Sequence, residues 1–286
     1  MEKLKTFVRK NPAFTVFFLL ALGVAATAVF APVLATHDPY EAVLADAVSP
    51  PGPEHWFGTD RMGRDLYSRV IYGARTSLAA SFALVCLIML VGTFLGILAG
   101  WFGGILDAVI MRISDMMISF PGMVLALAVA GILGASMTNA VIAIAVVSWT
   151  KYARLARSLT LKIRERDYIA AARLTGSRTS HILWKYLLPN ALPTILITGA
   201  TDIGSMIMEI AALSFLGFGA KAPTAEWGLM LNEGRAYMTA APWLMVFPGL
   251  AIFITVVVFN LLGDSLRDVL DPREEQGSGF RRKENE

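Results

Sequence analysis

The sequence predicts an all-α membrane protein with six transmembrane helices, and composition, hydropathy and charge distribution all support this prediction. The chain of 286 residues is 56% hydrophobic and 16% charged, with a mean hydropathy of +0.59. A soluble domain of this length is rarely so apolar, whereas a bundle of membrane helices is. The net charge of only +3 also argues against nucleic acid as a partner. The lipid bilayer is therefore the expected environment.

Six apolar windows reach or approach the length of about 20 residues that crosses a ~30 Å hydrocarbon core. Four are uninterrupted, whereas one shorter window opens at Phe120-Pro121 and another ends at Trp149. The first window follows a basic start and superficially resembles a signal peptide. It is too long for one and lacks a small-residue cleavage site, so we interpret it as a retained helix. The predicted spans are residues 13–34, 78–102, 117–135, 138–150, 187–216 and 243–263.

Basic residues set the orientation of these spans. The segment 151–185 carries nine Lys and Arg residues against two acidic ones, Glu165 and Asp167. The N-terminus and the C-terminal tail are also basic, so the positive-inside rule places all three regions in the cytoplasm. Segments 36–76 and 217–242 then lie outside. We therefore expect a multi-pass protein of the cytoplasmic membrane with both termini inside the cell.

These boundaries divide the chain into three parts. Residues 1–77 would hold a cytoplasmic stub, the first span and an external segment. Residues 78–273 would form a five-helix core that includes the loop 151–187, and residues 274–286 have the polar composition of a disordered cytoplasmic tail. The single cysteine, Cys86, lies in an apolar run and is expected to be a small buried side chain.

The cytoplasmic loop contains the stretch YIAAARLTGS at residues 168–177. Asp167 is placed to N-cap a helix over residues 168–175, and Gly176 fits the C′ position that ends it. Ser177 would then cap a second helix that leads into the fifth span. Small side chains allow another protein to approach closely, so the alanines favour a docking helix. A membrane-surface helix held by anionic lipid is equally compatible with the basic flanks.

A resemblance to a known family separates these two interpretations. The run AAARLTGSRTSHILWKYLLPNALP resembles the EAA loop of ABC-importer permeases, whose pattern is E-A-A-x3-G-x9-I-x-L-P. Ala170 stands where the family commonly has Glu, and Tyr186 where it has Ile. The resemblance implies a coupling helix that sits in a groove of an ATP-hydrolysing subunit. The coupling residues that it implies are Ala170, Ala171, Ala172, Arg173, Gly176 and Pro189.

Three further stretches narrow the resemblance to one family. These stretches are residues 56–78 (WFGTDRMGRDLYSRVIYGARTSL), 222–238 (APTAEWGLMLNEGRAYM) and 242–273 (PWLMVFPGLAIFITVVVFNLLGDSLRDVLDPR). They resemble the dipeptide/oligopeptide/nickel permeases of the second-subunit type. The resemblance implies the fold of a type I ABC-importer permease with a cytoplasmic coupling helix, in a bacterial inner membrane.

The same resemblance implies a set of partners. They would be a second homologous permease that completes a heterodimeric pathway, two ATPase subunits and an extracytoplasmic substrate-binding protein. The sequence itself has no G-x4-G-K-[ST] phosphate loop. ATP and Mg²⁺ are therefore expected on the ATPase subunits, with no cofactor and no catalytic residue on this chain.

The predicted fifth span contains two carboxylates, Asp202 and Glu209, which are seven residues apart and so share one face. Intramembrane acids are costly and often mark a substrate or ion path, and Met206 lies between them. Either acid could instead pair with a basic residue of another subunit or lie near an end of the span. If they line the pathway they would attract cations, and the segment resembles the nickel branch more than the peptide branch. The expected cargo is nickel or a nickel chelate, with di- or oligopeptides as the alternative.

Two other classes of function stay open at this point. A membrane enzyme could use Asp202 and Glu209 as an acid/base pair, although neither H-E-x-x-H nor G-x-S-x-G is present. A passive channel would conduct ions without ATPase partners. The ATPase requirement separates both from an importer permease.

The first external segment carries closely spaced charges. Asp60 could cap a helix on which Arg61 and Asp65, and Asp65 and Arg69, lie four residues apart. Such a helix would lie at the membrane interface with its charges paired internally. The alternative is that it contacts a binding protein or lines the outer gate.

Two acidic residues and the histidines are the other candidates for binding a partner or a metal. Glu226 and Glu233 lie in the second external segment and are candidates for contact with a binding protein. The three histidines, His37, His55 and His181, are distributed over both sides of the membrane, so we expect surface residues rather than one metal site.

Overall fold

The computed structural model describes Arg9 and residues 11–270, and the regular structure of this part is helical. Residues 1–8 and the predicted tail 274–286 lie outside it. Short 3-10 helices cover Leu44–Asp46 and Arg235–Tyr237, and a π-helical turn covers Leu183–Leu187. The α helices are α1 (Pro12–Val29), α2 (Ala31–Leu34), α3 (Leu66–Phe102), α4 (Gly104–Ile118), α5 (Gly122–Leu133), α6 (Met137–Arg164), α7 (Asp167–Leu174), α8 (Thr179–Ile182), α9 (Leu188–Phe215), α10 (Trp227–Gly234) and α11 (Trp243–Leu270).

Four of the described helices are long and apolar enough to cross a membrane: α1, α3, the continuous helix Thr179–Phe215, and α11. Helices α4 and α5 meet the same criterion together, as a broken span bent by 95°. The break falls at Phe120-Pro121, where the predicted window 117–135 opens, so most of α4 lies outside the predicted spans. The described chain is thus an all-helical membrane protein with four or five candidate spans. The predicted span 138–150 lies in α6, which continues to Arg164 with a basic second half.

Helix α3 differs most from its prediction. It begins at Leu66 rather than at residue 78, and its 37 residues extend over about 55 Å. The predicted boundary between residues 77 and 78 falls inside it, so the external segment and the helical core share one continuous element. Cys86 on this helix is exposed rather than buried, because no described helix covers its side of α3.

Close backbone contact joins α3 to α6. Gly92, Gly96 and Gly100 lie four residues apart on one face of α3. A Cβ added to Gly96 would lie 2.3 Å from the carbonyl oxygen of Ala153, and one on Gly92 would lie 2.4 Å from that of Trp149. The pattern GTFLGILAG is the small-xxx-small signal of helix pairs in membranes, so this contact has a signature in the sequence.

A second close contact joins α9 to α11. A Cβ on Gly204 would lie 2.2 Å from the side-chain oxygen of Asn260, and one on Gly263 would lie 2.6 Å from the Cα of Thr201. Helix α9 also contacts α3 and α6, and its residues belong to both apolar clusters of the chain. Helix α9 is therefore packed on both sides, which fixes the position of the residues that it carries.

Candidate coupling surface and central cavity

Helix α7 occupies the position predicted for the docking helix, and it ends as the sequence predicted. Gly176 has a φ of 78°. Its N–H donates to the carbonyl oxygen of Arg173, and the N–H of Ser177 donates to that of Ala172, both at 3.0 Å. This pair of bonds is a Schellman motif with Gly176 at C′. The left-handed φ favours glycine even though a Cβ there would meet nothing within 4 Å.

Both predicted N-caps in this loop are wrong. Asp167 is the first residue of α7 and follows Arg166, although a carboxylate in the first turn still complements the helix dipole. Helix α8 begins at Thr179 after Arg178, so Ser177 does not cap it. The physical reason is that Ser177 closes the Schellman motif of the preceding helix.

The two sides of α7 differ in exposure. Ile169 and Ala172 are buried against the core. Ala170, Ala171 and Leu174 lie on the other side, are exposed, and are named here the α7 outer face; Leu174 is 90% exposed. Of the three predicted docking alanines, Ala172 is thus unavailable to a partner, because it packs inside the chain.

Two further residues of the predicted coupling set tie the loop to the membrane helices. The guanidinium of Arg173 lies 4.8 Å from the centre of the Trp101 ring, a cation–π contact with the end of α3. Pro189 lies in the first turn of α9, directly after the π-helical turn Leu183–Leu187. The π-helical turn before it continues α8 into α9 without a break.

A cavity of about 440 Å³ lies between α6, α9 and the bend between α4 and α5, and is named here the central cavity. All three residues predicted for the pathway, Asp202, Met206 and Glu209, line it. The structure thus brings together the residues that the sequence placed on one helix face. Further lining residues are Ile88, Met117, Ile118, Phe120, Gly122, Val147, Ser148, Thr150, Lys151 and Ser205.

Asp202 is neutralised within the chain. The Nζ of Lys151 lies 2.6 Å from Oδ1 of Asp202, and the hydroxyl of Tyr152 donates to Oδ2 at 2.9 Å. Asp202 thus takes its basic partner from α6 of the same chain and not from another subunit, which was one of the alternatives left open above. Glu209 makes no ion pair with any described residue. The central cavity consequently carries charges of both signs.

The predicted helix from Asp60 onward does not form. Asp60 caps a tight turn instead, accepting from the N–H groups of Met62 and Arg64. Gly63, with a φ of 74°, completes that turn. Helix α3 starts only after Asp65, whose Oδ2 accepts from the N–H of Ser68 at 2.8 Å.

The charges of this segment pair with a distant part of the chain rather than along a helix. Arg64 lies 2.6 Å from Asp60 and 3.2 Å from Glu233 of α10. Arg69 is almost fully buried and lies 3.3 Å from Asp60 and 3.5 Å from Glu233. Arg61 pairs with Glu233 at 3.3 Å, not with Asp65. Glu233 thus holds the two external segments together.

The histidines are not distributed as expected. The rings of His37 and His55 lie 4.9 Å apart, between centroids, and both approach Asp65. His181 lies in α8, far along the chain. His37 and His55 thus lie together beside one carboxylate, because the chain between α2 and α3 folds back onto the start of α3. The expectation that the histidines are surface residues rather than metal ligands stays a prediction.

Residues 92–276 match the family described as "Binding-protein-dependent transport system inner membrane component". The chain belongs to this family of ABC-importer permeases. The permease is thus a subunit of an inner-membrane transport system, and its task is transport rather than catalysis.

Curated relatives place the permease in the dipeptide/oligopeptide/nickel family, second-subunit type. It is 48% identical over 223 residues to a glutathione transport system permease of Pectobacterium atrosepticum, covering 78% of this chain and 74% of the relative. A dipeptide permease of Alkalihalophilus pseudofirmus is 42% identical over 266 residues, covering 93% and 88%. A nickel permease of Escherichia coli K12 is 42% identical over 236 residues, covering 82% and 85%.

The fold of the permease has a solved counterpart. The methionine ABC transporter crystallised in inward-facing conformations aligns with a TM-score of 0.57 at 21% identity, covering 72% of this chain and 98% of that one. Among the relatives, identities to peptide, glutathione and nickel permeases are similar, so the nickel branch is not singled out. Dipeptide, glutathione and nickel permeases are thus all among the relatives of this chain.

Glu226, a candidate contact for a binding protein, is a structural residue of the permease. It is fully buried and N-caps α10, accepting from the N–H groups of Gly228 at 2.9 Å and Leu229 at 2.7 Å. Burial raises the pKa of its carboxyl, and the two backbone N–H donors oppose that rise. Its polar groups are turned toward the chain and not toward a partner.

Replacement of Glu226 by Ala should lower the free energy of unfolding of the permease by about 2 kcal/mol, since two buried N–H groups lose their acceptor. Glu226→Gln retains an acceptor and should cost less. Glu41→Ala, at an exposed external position, is the matched control and should leave stability unchanged. Chemical unfolding in detergent measures the three variants; equal stability of Glu226→Ala and wild type would contradict the capping role.

Proposed function

We propose that the permease forms one half of a heterodimeric translocation pathway that partner ATPase subunits drive. The observation that carries the proposal is the α7 outer face. Ala170 and Ala171 present only methyl groups to the cytoplasm, so a partner's groove can close over them. The Schellman motif and the contact between Arg173 and Trp101 hold the helix in one orientation. Ala170 carries no carboxylate, so docking relies on shape and on the basic flanks.

The route from this face to the pathway is short. Four residues, 175–178, connect α7 to the continuous helix Thr179–Phe215. That helix carries Asp202 and Glu209 of the central cavity. ATP and Mg²⁺ would be bound by the ATPase subunits, and a movement of α7 would pass through α9 to the cavity lining.

We propose six spans with both termini in the cytoplasm. The bent pair α4–α5 would be the third span and the first half of α6 the fourth. The support for α6 is that its residues 137–150 are mainly apolar, while its basic second half continues toward α7. The core 78–273 with its loop 151–187 would then face the cytoplasm through α7. The external segments 36–65 and 217–242 would receive a substrate-binding protein.

For the cargo we propose a small peptide. A peptide carries an ammonium and a carboxylate, and the central cavity offers Glu209 to the first and Lys151 to the second. Its volume of about 440 Å³ falls in the range of ordinary ligand sites. The expectation of a nickel cargo rested on two acids in the pathway and on the resemblance of that segment to the nickel branch. Lys151 neutralises one of the two acids.

Nickel or a nickel chelate is the second candidate. Glu209 and the thioether of Met206 line the same cavity and could contact a passing cation. Lys151 cancels the charge of Asp202, so Glu209 is the carboxylate of the described cavity lining that is left to attract a cation. One such carboxylate attracts a divalent cation less strongly than two free acids would.

Reconstitution of the whole importer in proteoliposomes separates the two cargoes. We expect ATP-driven uptake of a labelled dipeptide that exceeds uptake of radioactive nickel. Glu209→Gln should reduce dipeptide uptake by about tenfold or more, since a hydrogen bond to a charged group contributes about 1.5–3 kcal/mol. The matched control is Glu41→Gln, the same change at an exposed external position, which should transport normally.

Other outcomes identify the rival functions. Nickel uptake that depends on Glu209 while dipeptide uptake does not would overturn the peptide assignment. Flux without ATP would indicate a passive channel. Conversion of the peptide to products without accumulation inside the vesicles would indicate a membrane enzyme.

A further inference from the structure

Three residues from separate parts of the external chain meet beside the start of α3. His37 follows α2, His55 lies in the loop after Leu44–Asp46, and Asp65 caps α3. The Nδ1 of His55 lies 2.9 Å from Oδ1 of Asp65, and the Nδ1 of His37 lies 3.8 Å from the same oxygen. One ligand atom from each residue can be chosen so that all three lie within 4.8 Å of one another.

The orientation of Asp65 suits metal ligation. Its Oδ2 is occupied by the N–H of Ser68, which fixes the carboxylate, and its Oδ1 is directed at the two imidazoles. Such a fixed carboxylate is the usual supporting arrangement around a metal ligand. The backbone N–H of His37 also donates to the Ser68 hydroxyl at 3.0 Å, which holds His37 near the site.

The spacing fits a small transition-metal ion. In a tetrahedral site with bonds of about 2.0–2.1 Å, neighbouring donor atoms lie about 3.4 Å apart. The two distances to Asp65, 2.9 and 3.8 Å, lie on either side of that value. The three donors all lie within 4.8 Å of one another, so they are close to ligand spacing before any ion is bound.

The site is open on one side. His37 also lines an external cavity of about 460 Å³ with Thr36, Asp38, Pro39 and Tyr72. This cavity gives an ion a way in and leaves room for a water as fourth ligand. Three protein ligands with one open position are typical of zinc sites that exchange a ligand.

We propose that His37, His55 and Asp65 bind one divalent late first-row transition ion, such as Zn²⁺ or Ni²⁺, on the external face of the permease. Two imidazoles and one carboxylate favour these ions over Mg²⁺ and Ca²⁺, which prefer oxygen ligands. The bound ion joins the chain that follows α2 to the N-terminus of α3. The site lies outside the central cavity, so the proposal holds whichever cargo the importer carries.

Metal titration of the purified importer, stripped with a chelator and kept free of binding protein, tests the site. Zn²⁺ and Ni²⁺ are added in separate experiments, and bound metal is counted per complex in competition with a chromogenic chelator. The variants are His37→Gln, His55→Gln and their combination. His181→Gln, at an exposed position in α8, is the matched control for loss of one histidine.

We expect wild type and His181→Gln to bind one more equivalent of Zn²⁺ per complex than the double variant. Each single variant should weaken that site by about tenfold or more. The His37 side chain is 40% exposed, so His37→Gln should unfold at the same temperature as wild type when no metal is bound. If His55→Gln perturbs folding, the metal affinity of His37→Gln alone tests the site. Equal stoichiometry and affinity in wild type and His37→Gln would overturn the proposal and leave only a hydrogen-bonded histidine–aspartate cluster.

Discussion

Ala171→Trp is expected to abolish ATP-driven transport while the permease stays folded in the membrane. Ala171 lies on the α7 outer face and is exposed, so an indole there can extend away from the core of the described chain. In the importer it would enter the proposed contact with an ATPase subunit, where overpacking costs about 1–3 kcal/mol. We expect transport to fall by at least about tenfold, together with loss of substrate-stimulated ATP hydrolysis. Uptake in proteoliposomes and ATPase assays measure both.

The control for this prediction is Ser180→Trp. Ser180 is also small, exposed and on the loop between α6 and α9, but it lies beyond the Gly176 turn and off the α7 outer face. It should transport at a rate close to wild type. Normal transport by Ala171→Trp would exclude docking on the α7 outer face, whereas a reduced membrane level of that variant would point to a folding defect instead.

Gly96→Leu is expected to destabilise the permease more than any other substitution considered for the core. Even a Cβ at Gly96 would lie 2.3 Å from the carbonyl oxygen of Ala153 and 2.8 Å from the Cβ of Ala156. Both neighbours are fixed in the backbone of α6 and cannot rotate away. Separation of α3 and α6 should cost about 3 kcal/mol or more. Unfolding in detergent and the steady-state level of the chain in membranes measure the effect.

Gly23→Leu is the matched control for the same change of residue. Gly23 lies in α1, and a Cβ there would meet nothing within 4 Å. Its stability should equal that of wild type within about 0.5 kcal/mol, as is usual for surface positions. Wild-type stability of Gly96→Leu would contradict this prediction. It would mean that direct backbone contact does not hold α3 and α6 together.

The parts of the structure that depend on neighbouring residues could be predicted from the sequence. Gly176 ends α7 as expected, because the left-handed C′ position is a local requirement that few residues other than glycine meet. The interruption at Phe120-Pro121 is likewise local. The placement of Asp202 and Glu209 on one face follows from helix periodicity alone.

The errors concern partners that lie far apart in the chain. Periodicity suggested that Asp65 pairs with Arg61, yet Arg61 pairs with Glu233, which is 172 residues away. Lys151 was counted as a cytoplasmic charge, whereas it neutralises Asp202 beside the central cavity. Such pairings depend on how helices pack, and no local pattern contains that information.

The continuous helix Thr179–Phe215 has a mechanical consequence. In the proposed importer it would act as a lever, with Thr179 near α7 at one end and the cavity carboxylates along its length. From Thr179 to Glu209 the arm measures about 45 Å, so a tilt of about 5° at the cytoplasmic end displaces Glu209 by about 4 Å. That displacement exceeds the length of a hydrogen bond. A few degrees of rotation, small enough to be accommodated at helix interfaces, would thus change which groups line the cavity.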